Sequence, residues 1–152
     1  MRVVIQRVSN ASVAVPDEGY EAGIGKGMLI LAAFTEGDAK EDLEWMVRKV
    51  SALRIFDDEN GVMNRSVTDT GGEIMVVSQF TLYASVARGN RPSYIRAARP
   101  ETAIPLYEEF CRMLGDAAGK PVARGIFGAD MKVSLLNDGP VTIVIDSKMR
   151  EF

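Results

Sequence analysis

In Val76-Val77-Ser78-Gln79-Phe80-Thr81-Leu82 an apolar run ends in three polar side chains, Ser78, Gln79 and Thr81, around one aromatic ring, Phe80. Strand ends open onto loops, where sites are commonly built, although a polar strand end that satisfies its own backbone gives the same pattern. The chain has no histidine, which removes Ser-His-Asp and Cys-His catalysis, His-metal sites and any imidazole base in one step. Hydrolytic chemistry here must find its base elsewhere. The second unusual segment is Asn137-Asp138-Gly139-Pro140-Val141-Thr142. A hairpin turn accounts for Asp-Gly and Gly-Pro crowded between two apolar runs. Pro140 directly before Val141-Thr142-Ile143-Val144-Ile145 is harder to place, because proline cannot donate to a strand ladder and belongs at a strand start, an edge or a special turn.

Around these segments the charge is uneven. The net charge of −3 argues against a non-specific nucleic-acid binder. Between Ile74 and Pro100, however, there is no acidic residue, while Arg88, Arg91, Arg96 and Arg99 all fall there, interleaved with Tyr83 and Tyr94. Such a stretch fits a phosphate surface: arginine's planar fork suits phosphate oxygens, and tyrosine stacks on unpaired bases. It equally fits a solvated loop whose arginines pair with Glu36, Asp38 or the Asp57-Asp58-Glu59 turn. Proximity to the Ser78–Thr81 segment distinguishes the two.

The elements that must position these residues read as follows. Arg2 to Val15 divides into two strands, Val3-Val4-Ile5 and the alternating Ala11, Val13, Val15. Turns at Pro16-Asp17-Glu18-Gly19 and Gly25-Lys26-Gly27 lead into the buried strand Met28-Leu29-Ile30-Leu31-Ala32-Ala33-Phe34. That run is far short of the roughly 20 residues a membrane-spanning helix needs. Asp38 as N-cap with Glu41 three residues on, then Leu43, Met46, Val47, Val50 and Leu53, predict a helix over about Ala39 to Ala52. Short extended pieces around Arg54-Ile55-Phe56 and Val62-Met63-Asn64 flank an acidic turn, and Thr70-Gly71-Gly72 breaks the chain before a strand from Glu73 to Tyr83. Leu106, Tyr107, Phe110, Met113, Leu114 and Ala117 predict a second helix over about Thr102 to Ala117, with the single cysteine, Cys111, on its apolar stripe. Two last strands, about Met131 to Leu136 and Val141 to Asp146, are separated by Asn137-Asp138-Gly139-Pro140. The expected fold is α+β, one domain over residues 1–152, with two helices packed on a twisted, mixed or antiparallel, barrel-like sheet. No signal peptide, disulfide or repeat is expected, which places the protein in the cytoplasm.

Four segments in this order, Ser78-Gln79-Phe80-Thr81-Leu82, Arg88-Gly89-Asn90-Arg91-Pro92-Ser93, Phe127-Gly128-Ala129-Asp130-Met131 and Asn137-Asp138-Gly139-Pro140-Val141-Thr142, strongly resemble the D-aminoacyl-tRNA deacylase family. Ile5-Gln6-Arg7-Val8 with Ala11-Ser12-Val13 matches as well, so the resemblance runs nearly end to end. Tyr94 stands where a phenylalanine is frequent, and Lys148-Met149-Arg150-Glu151-Phe152 extends past the usual last strand.

The resemblance implies a homodimer that hydrolyses the ester between a D-amino acid and the terminal ribose of tRNA and removes glycine wrongly attached to alanine tRNA. It implies that Gly139-Pro140, joined in cis, enters the partner's pocket and excludes side chains of L configuration, whereas a D side chain points elsewhere and glycine has nothing to clash. An aminoacyl ester is already activated, and the neighbouring ribose 2′-hydroxyl can position the water, so no protein base is obligatory. By the same analogy Ser78, Gln79, Phe80 and Thr81 line the catalytic pocket, with backbone N–H groups near Phe80 as oxyanion donors; Thr81 as a covalent nucleophile is the alternative. Phe127 and Met131 fit an adenine pocket or plain core. Arg7 fits a group that holds the Gly139-Pro140 loop, or a surface ion pair. Arg88, Arg91 and Arg96 are the expected tRNA contacts. No metal or cofactor is expected, and neither a membrane nor DNA as partner. Two competing functions share these residues: a general small-molecule esterase, and an RNA-binding module without turnover.

Overall fold

A computed structural model describes residues 1–151, so Phe152, the last residue of the C-terminal extension, lies outside it. Two runs that read as interrupted are continuous. The first strand, β1 (Arg2–Val15), bends at register shifts between Gln6, Val8 and Asn10 without breaking. A bulge of this kind redirects a strand while its ladder continues, which a hydrophobic pattern alone does not reveal. Its first half pairs antiparallel with β3 (Gly27–Ala33) and its second half with β2 (Tyr20–Ile24). The last strand, β8 (Lys132–Asp146), runs antiparallel along nearly all of β1, straight through the segment expected to separate two strands. There the pair Val8–Asn137 is followed by Gln6–Thr142, so residues 138–141 bulge out opposite Arg7. Pro140 is tolerated at such a bulge because no ladder bond needs its missing N–H.

The first helix, α1 (Lys40–Ala52), begins one residue later than expected, with Ala39 as the flanking residue and Asp42 accepting its amide at 3.0 Å. Asp38 is diverted from capping because its carboxylate accepts from the Thr35 amide and the Met1 amine. A short hairpin, β4 (Phe56–Asp57) with β5 (Met63–Arg65), precedes a helix that the sequence pattern does not announce, α2 (Val67–Thr70). Four residues are too few to display a 3.6-residue period. The turn is made by reciprocal bonds between Ser66 and Asp69: the Asp69 amide donates to Ser66 Oγ at 3.1 Å, and the Ser66 amide to Asp69 Oδ2 at 2.9 Å. The expected pair of helices is therefore three, completed by α3 (Pro100–Ala118).

β6 (Glu73–Ser78) pairs parallel with β3 and with β7 (Ala123–Arg124), which makes the barrel-like sheet mixed, in the order β2-β1-β3-β6-β7 with β8 alongside β1. β3 and β6 are buried on both faces, hence their unbroken apolar sequence. Met28, Ile30, Ile74 and Val76 enter the larger core beneath α1 and α3, with Leu43, Met46, Tyr107, Phe110 and Leu114. Leu29, Met75 and Val77 point the other way, into a smaller core with Val8, Ala11 and Val13. Each fully buried aliphatic or aromatic side chain of this size is worth roughly 1.5–3 kcal/mol relative to exposure. Cys111 belongs to the larger core, as its place on the helical stripe predicts, and burial pushes its thiol up to about 11. No helix among the described residues is long and apolar enough to cross a membrane.

Candidate active site

β6 ends at Ser78, where the pairing with Ala32 stops, and the expected strand to Tyr83 is instead a strand followed by one tight helical turn over Phe80–Tyr83. The Gln79 amide donates to the Ala32 carbonyl at 2.8 Å and pins the point where the chain leaves the sheet. Within the turn the Leu82 amide donates to the Gln79 carbonyl, and the Ala84 amide to that of Thr81. The Phe80 and Thr81 amides precede the first of these bonds and, as at any helix start, have no partner within the turn. The Gln79 side-chain amide nitrogen donates to Thr81 Oγ1 at 2.5 Å. An amide is not a base, so this neighbour orients the Thr81 hydroxyl without activating it.

Ser78, Gln79 and Phe80 form one wall of a cleft of about 300 Å³, whose floor is Val77 and Val133. The opposite wall is the loop from Phe127 to Met131, which follows β7. Phe127 and Met131 both pack on core residues and line the cleft. Phe127 packs on Tyr107, with ring centroids 5.9 Å apart, and Met131 packs on the smaller core, while both face the cleft. Gly125 makes this possible: a β-carbon there would collide with Met131 Sδ. Gly128, Ala129 and Asp130 complete the wall, a place in the pocket that their residue types alone do not signal.

Phe80 is half exposed and meets Tyr94 edge-on, 5.0 Å between centroids, which joins the cleft to the arginine stretch. The first part of that stretch, with Arg88 and Arg91, is a loop closed by paired bonds between Ser85 and Ser93. Arg88, Arg91, Arg96 and Arg99 are exposed, and among the described residues none of them is ion-paired. Glu36 instead accepts from the Arg99 backbone amide, and Arg96 reaches only the Ala84 carbonyl at 3.4 Å. The acid-paired alternative for this loop is thus not what the structure adopts. Four exposed arginines in one stretch, none of them ion-paired among the described residues, favour a polyanionic ligand.

Gly139 and Pro140 lie elsewhere: both are exposed, and neither lines the cleft of its own chain. The peptide bond between them is cis. Arg7 is nearly buried and holds this bulge by donating from Nε to the Asp138 carbonyl at 2.9 Å and from Nη1 to the Ile55 carbonyl at 2.7 Å. Asp138 and Asp57 stand 3.6 and 3.5 Å from the guanidinium and balance its charge. Asn137 closes the bulge from inside, its amide nitrogen donating to the carbonyls of Arg7 and Val141. Glycine is required at 139, where φ is +132° and a β-carbon would lie 2.7 Å from Arg7 Nη2. Arg7 is therefore a scaffold for the bulge in this chain and not part of the cleft. Among the described residues no group of three metal-ligating side chains is gathered.

The family model described as D-Tyr-tRNA(Tyr) deacylase matches residues 4–146. D-aminoacyl-tRNA deacylases of Bacteroides thetaiotaomicron, Parabacteroides distasonis and Dechloromonas aromatica are 59%, 60% and 60% identical over 151 residues, covering 99% of this chain and all of each relative. A solved structure described as c-Myc DNA unwinding element binding protein is 41% identical with a TM-score of 0.88, covering 96% of this chain and 98% of that one. Another, described as a probable eukaryotic D-amino acid tRNA deacylase, shares the fold at 19% identity and a TM-score of 0.83 over 95% and 98% of the two chains. With its strand-end cleft, its unpaired arginine loop and relatives of this identity along its whole length, the chain belongs to the D-aminoacyl-tRNA deacylase family.

Proposed function

We propose that this chain is a cytoplasmic editing esterase that hydrolyses D-aminoacyl-tRNA, and removes glycine wrongly attached to alanine tRNA, while sparing L-aminoacyl-tRNA. The observation that carries the proposal is the cleft between Ser78–Phe80 and Phe127–Met131 with an uncompensated arginine loop joined to it through the Phe80–Tyr94 contact. A cleft of about 300 Å³ takes a nucleoside with a small ester, not a folded RNA, so the 3′ end enters and the rest of the tRNA stays outside. Arg88, Arg91 and Arg96 contact its phosphates; Phe127 and Met131 receive the terminal adenine.

Hydrolysis at this site is a matter of placement. The ester carbonyl sits against Ser78, Gln79, Phe80 and Thr81, with the amides near Phe80 stabilising the developing oxyanion, and the ribose 2′-hydroxyl positions the attacking water. Thr81 stands next to the cleft-lining Phe80 but is not itself among the lining residues, and it does not attack, since among the described residues the one side chain bonded to its hydroxyl is the Gln79 amide. Enantioselectivity is steric. Gly139–Pro140 of a second copy closes the pocket and leaves no room for an L side chain, whereas D side chains and glycine fit. Two observations support a second copy. The bulge is rigidly tied yet absent from its own cleft, and β8 pairs with β1 alone among the described residues, leaving a long free edge beside exposed Leu135, Leu136 and Val144.

The deciding experiment charges one tRNA separately with D-tyrosine, L-tyrosine and glycine and follows ester hydrolysis. D-tyrosyl and glycyl esters are expected to be released and L-tyrosyl ester retained; rapid release of L-tyrosine defeats the proposal. A simple activated ester in the same assay separates this enzyme from a general esterase, and turnover separates it from an RNA-binding module.

A further inference from the structure

We propose that Arg2 is a positioning residue for ester hydrolysis, fixing the exit of the Phe80–Tyr83 turn as the Ala32 carbonyl fixes its entry. The inference rests on the catalytic reading of that turn given above. One side chain makes three contacts that converge on it. Arg2 Nη1 donates to the Leu82 carbonyl at 2.8 Å, across 80 residues of sequence. Its guanidinium lies over the Tyr83 ring, 4.8 Å from the centroid. Its Nε donates to Asp146 Oδ2 at 2.9 Å.

The third contact makes the first two rigid. Asp146 is buried, it stands opposite Arg2 in the β1–β8 register, and its other oxygen accepts the Lys148 amide at 2.8 Å. A guanidinium that swung away from Leu82 would weaken its bond to a carboxylate that burial leaves without water, so its geometry is set from the sheet side. Planarity then matters: one fork serves Asp146 from Nε and Leu82 from Nη1, which a lysine ammonium on a flexible stem does not reproduce. Tyr83 is itself buried, so the turn is held at its far end by the guanidinium and by packing, while Gln79 and Phe80 at its near end line the cleft. Phosphate binding is handled by a different loop. Loss of Arg2 should therefore misplace the reacting ester without weakening tRNA capture.

The test compares Arg2→Ala and Arg2→Lys with Lys148→Ala, which cuts the 2.7 Å bond from Lys148 to Asp42 at the same end of the sheet without touching the turn. For each, kcat and KM on D-tyrosyl-tRNA are measured together with hydrogen exchange of the peptide covering residues 79–84. Arg2→Ala is expected to lower kcat by about 10- to 100-fold, the scale on which small misplacements act. Its KM should stay within about threefold, exchange of the 79–84 amides should accelerate, and Arg2→Lys should recover part of kcat. Lys148→Ala should keep kcat and the 79–84 exchange at wild-type values. Should Arg2→Ala fail to fold, Arg2→Lys is judged by the same split between kcat and KM. A kcat within about threefold of wild type, a rise in KM alone, or unchanged exchange in residues 79–84 overturns the proposal. A wild-type enzyme inert on D-tyrosyl-tRNA would instead defeat the assigned reaction, and the exchange data would still decide the clamp.

Discussion

The Asp138–Val141 bulge and the Phe80–Tyr83 turn are both short irregular segments inserted into regular structure, and both are held by an arginine of β1, yet they are held differently. Arg7 is nearly buried beneath its segment, donates to two backbone carbonyls, and is balanced by two half-exposed carboxylates. Arg2 is partly exposed, donates to one carbonyl, and is balanced by one buried carboxylate. The bulge is thus stabilised from within, which suits the excluding wall proposed for it. The turn is tied at its two ends, leaving the polar groups between them free to meet a substrate. On the proposed reading, the segment that excludes needs rigidity throughout, and the one that reacts needs fixed ends with open donors.

Gly139→Val is the most severe way to break this contrast. It places a side chain against Arg7 Nη2 and Val141 at a φ that glycine favours, so D-tyrosyl-tRNA hydrolysis should fall by about 100-fold or more, or L-tyrosyl-tRNA should become a substrate. Wild-type rates on both enantiomers after that substitution would remove the bulge from the mechanism. Arg7→Ala comes next: it leaves two carbonyls without their donor and two carboxylates without their cation, and should cost about 2–4 kcal/mol in urea unfolding while degrading enantioselectivity. Stability lost with selectivity intact would mean that the bulge keeps its shape without Arg7.

Smaller effects sharpen the side of the comparison that reacts. The double variant Arg88→Ala, Arg91→Ala should raise KM by about tenfold and flatten the salt dependence of log(kcat/KM) by about 1.4, the value for two contacts to single-stranded phosphate. An unchanged salt slope would place the tRNA elsewhere. Thr81→Ala should be mildest, lowering kcat by less than about tenfold, because it removes an oriented hydroxyl and no nucleophile. Activity indistinguishable from the heat-killed enzyme would restore Thr81 as the attacking group.

Much of this arrangement is written in local pattern, and the exceptions share a cause. The helical spacing of Leu43 to Leu53 and of Leu106 to Ala117 places α1 and α3 to within two residues at each end, since an amphipathic stripe reports the core directly. The polar end of β6 marks the cleft, and Pro140 marks the bulge. The continuity of β1 and β8 is invisible in sequence because a bulge is a property of two paired strands. α2 escapes notice because its stabilisation lies in two side-chain bonds within one turn. Arg2 carries no local signal at all: every group its guanidinium bonds or stacks on is at least 80 residues away. Arg7 is legible only as part of a motif, while the role it fills, donor to a bulge 131 residues away, emerges from the β1–β8 register.

β1 carries both arginines and has neighbours on each side along most of its length, with β2 and β3 on one flank and β8 on the other. Strands so placed open last when a protein breathes, and amides along them exchange through near-global unfolding. Both arginine-held segments are thereby hung on the most persistent part of the molecule. On the proposed reading, partial melting of the exposed arginine loop would weaken capture of the nucleic acid while the Arg7-held bulge keeps its shape. Heat or denaturant should then slow this enzyme before making it indiscriminate, a safe order of failure for a catalyst surrounded by correctly charged tRNA.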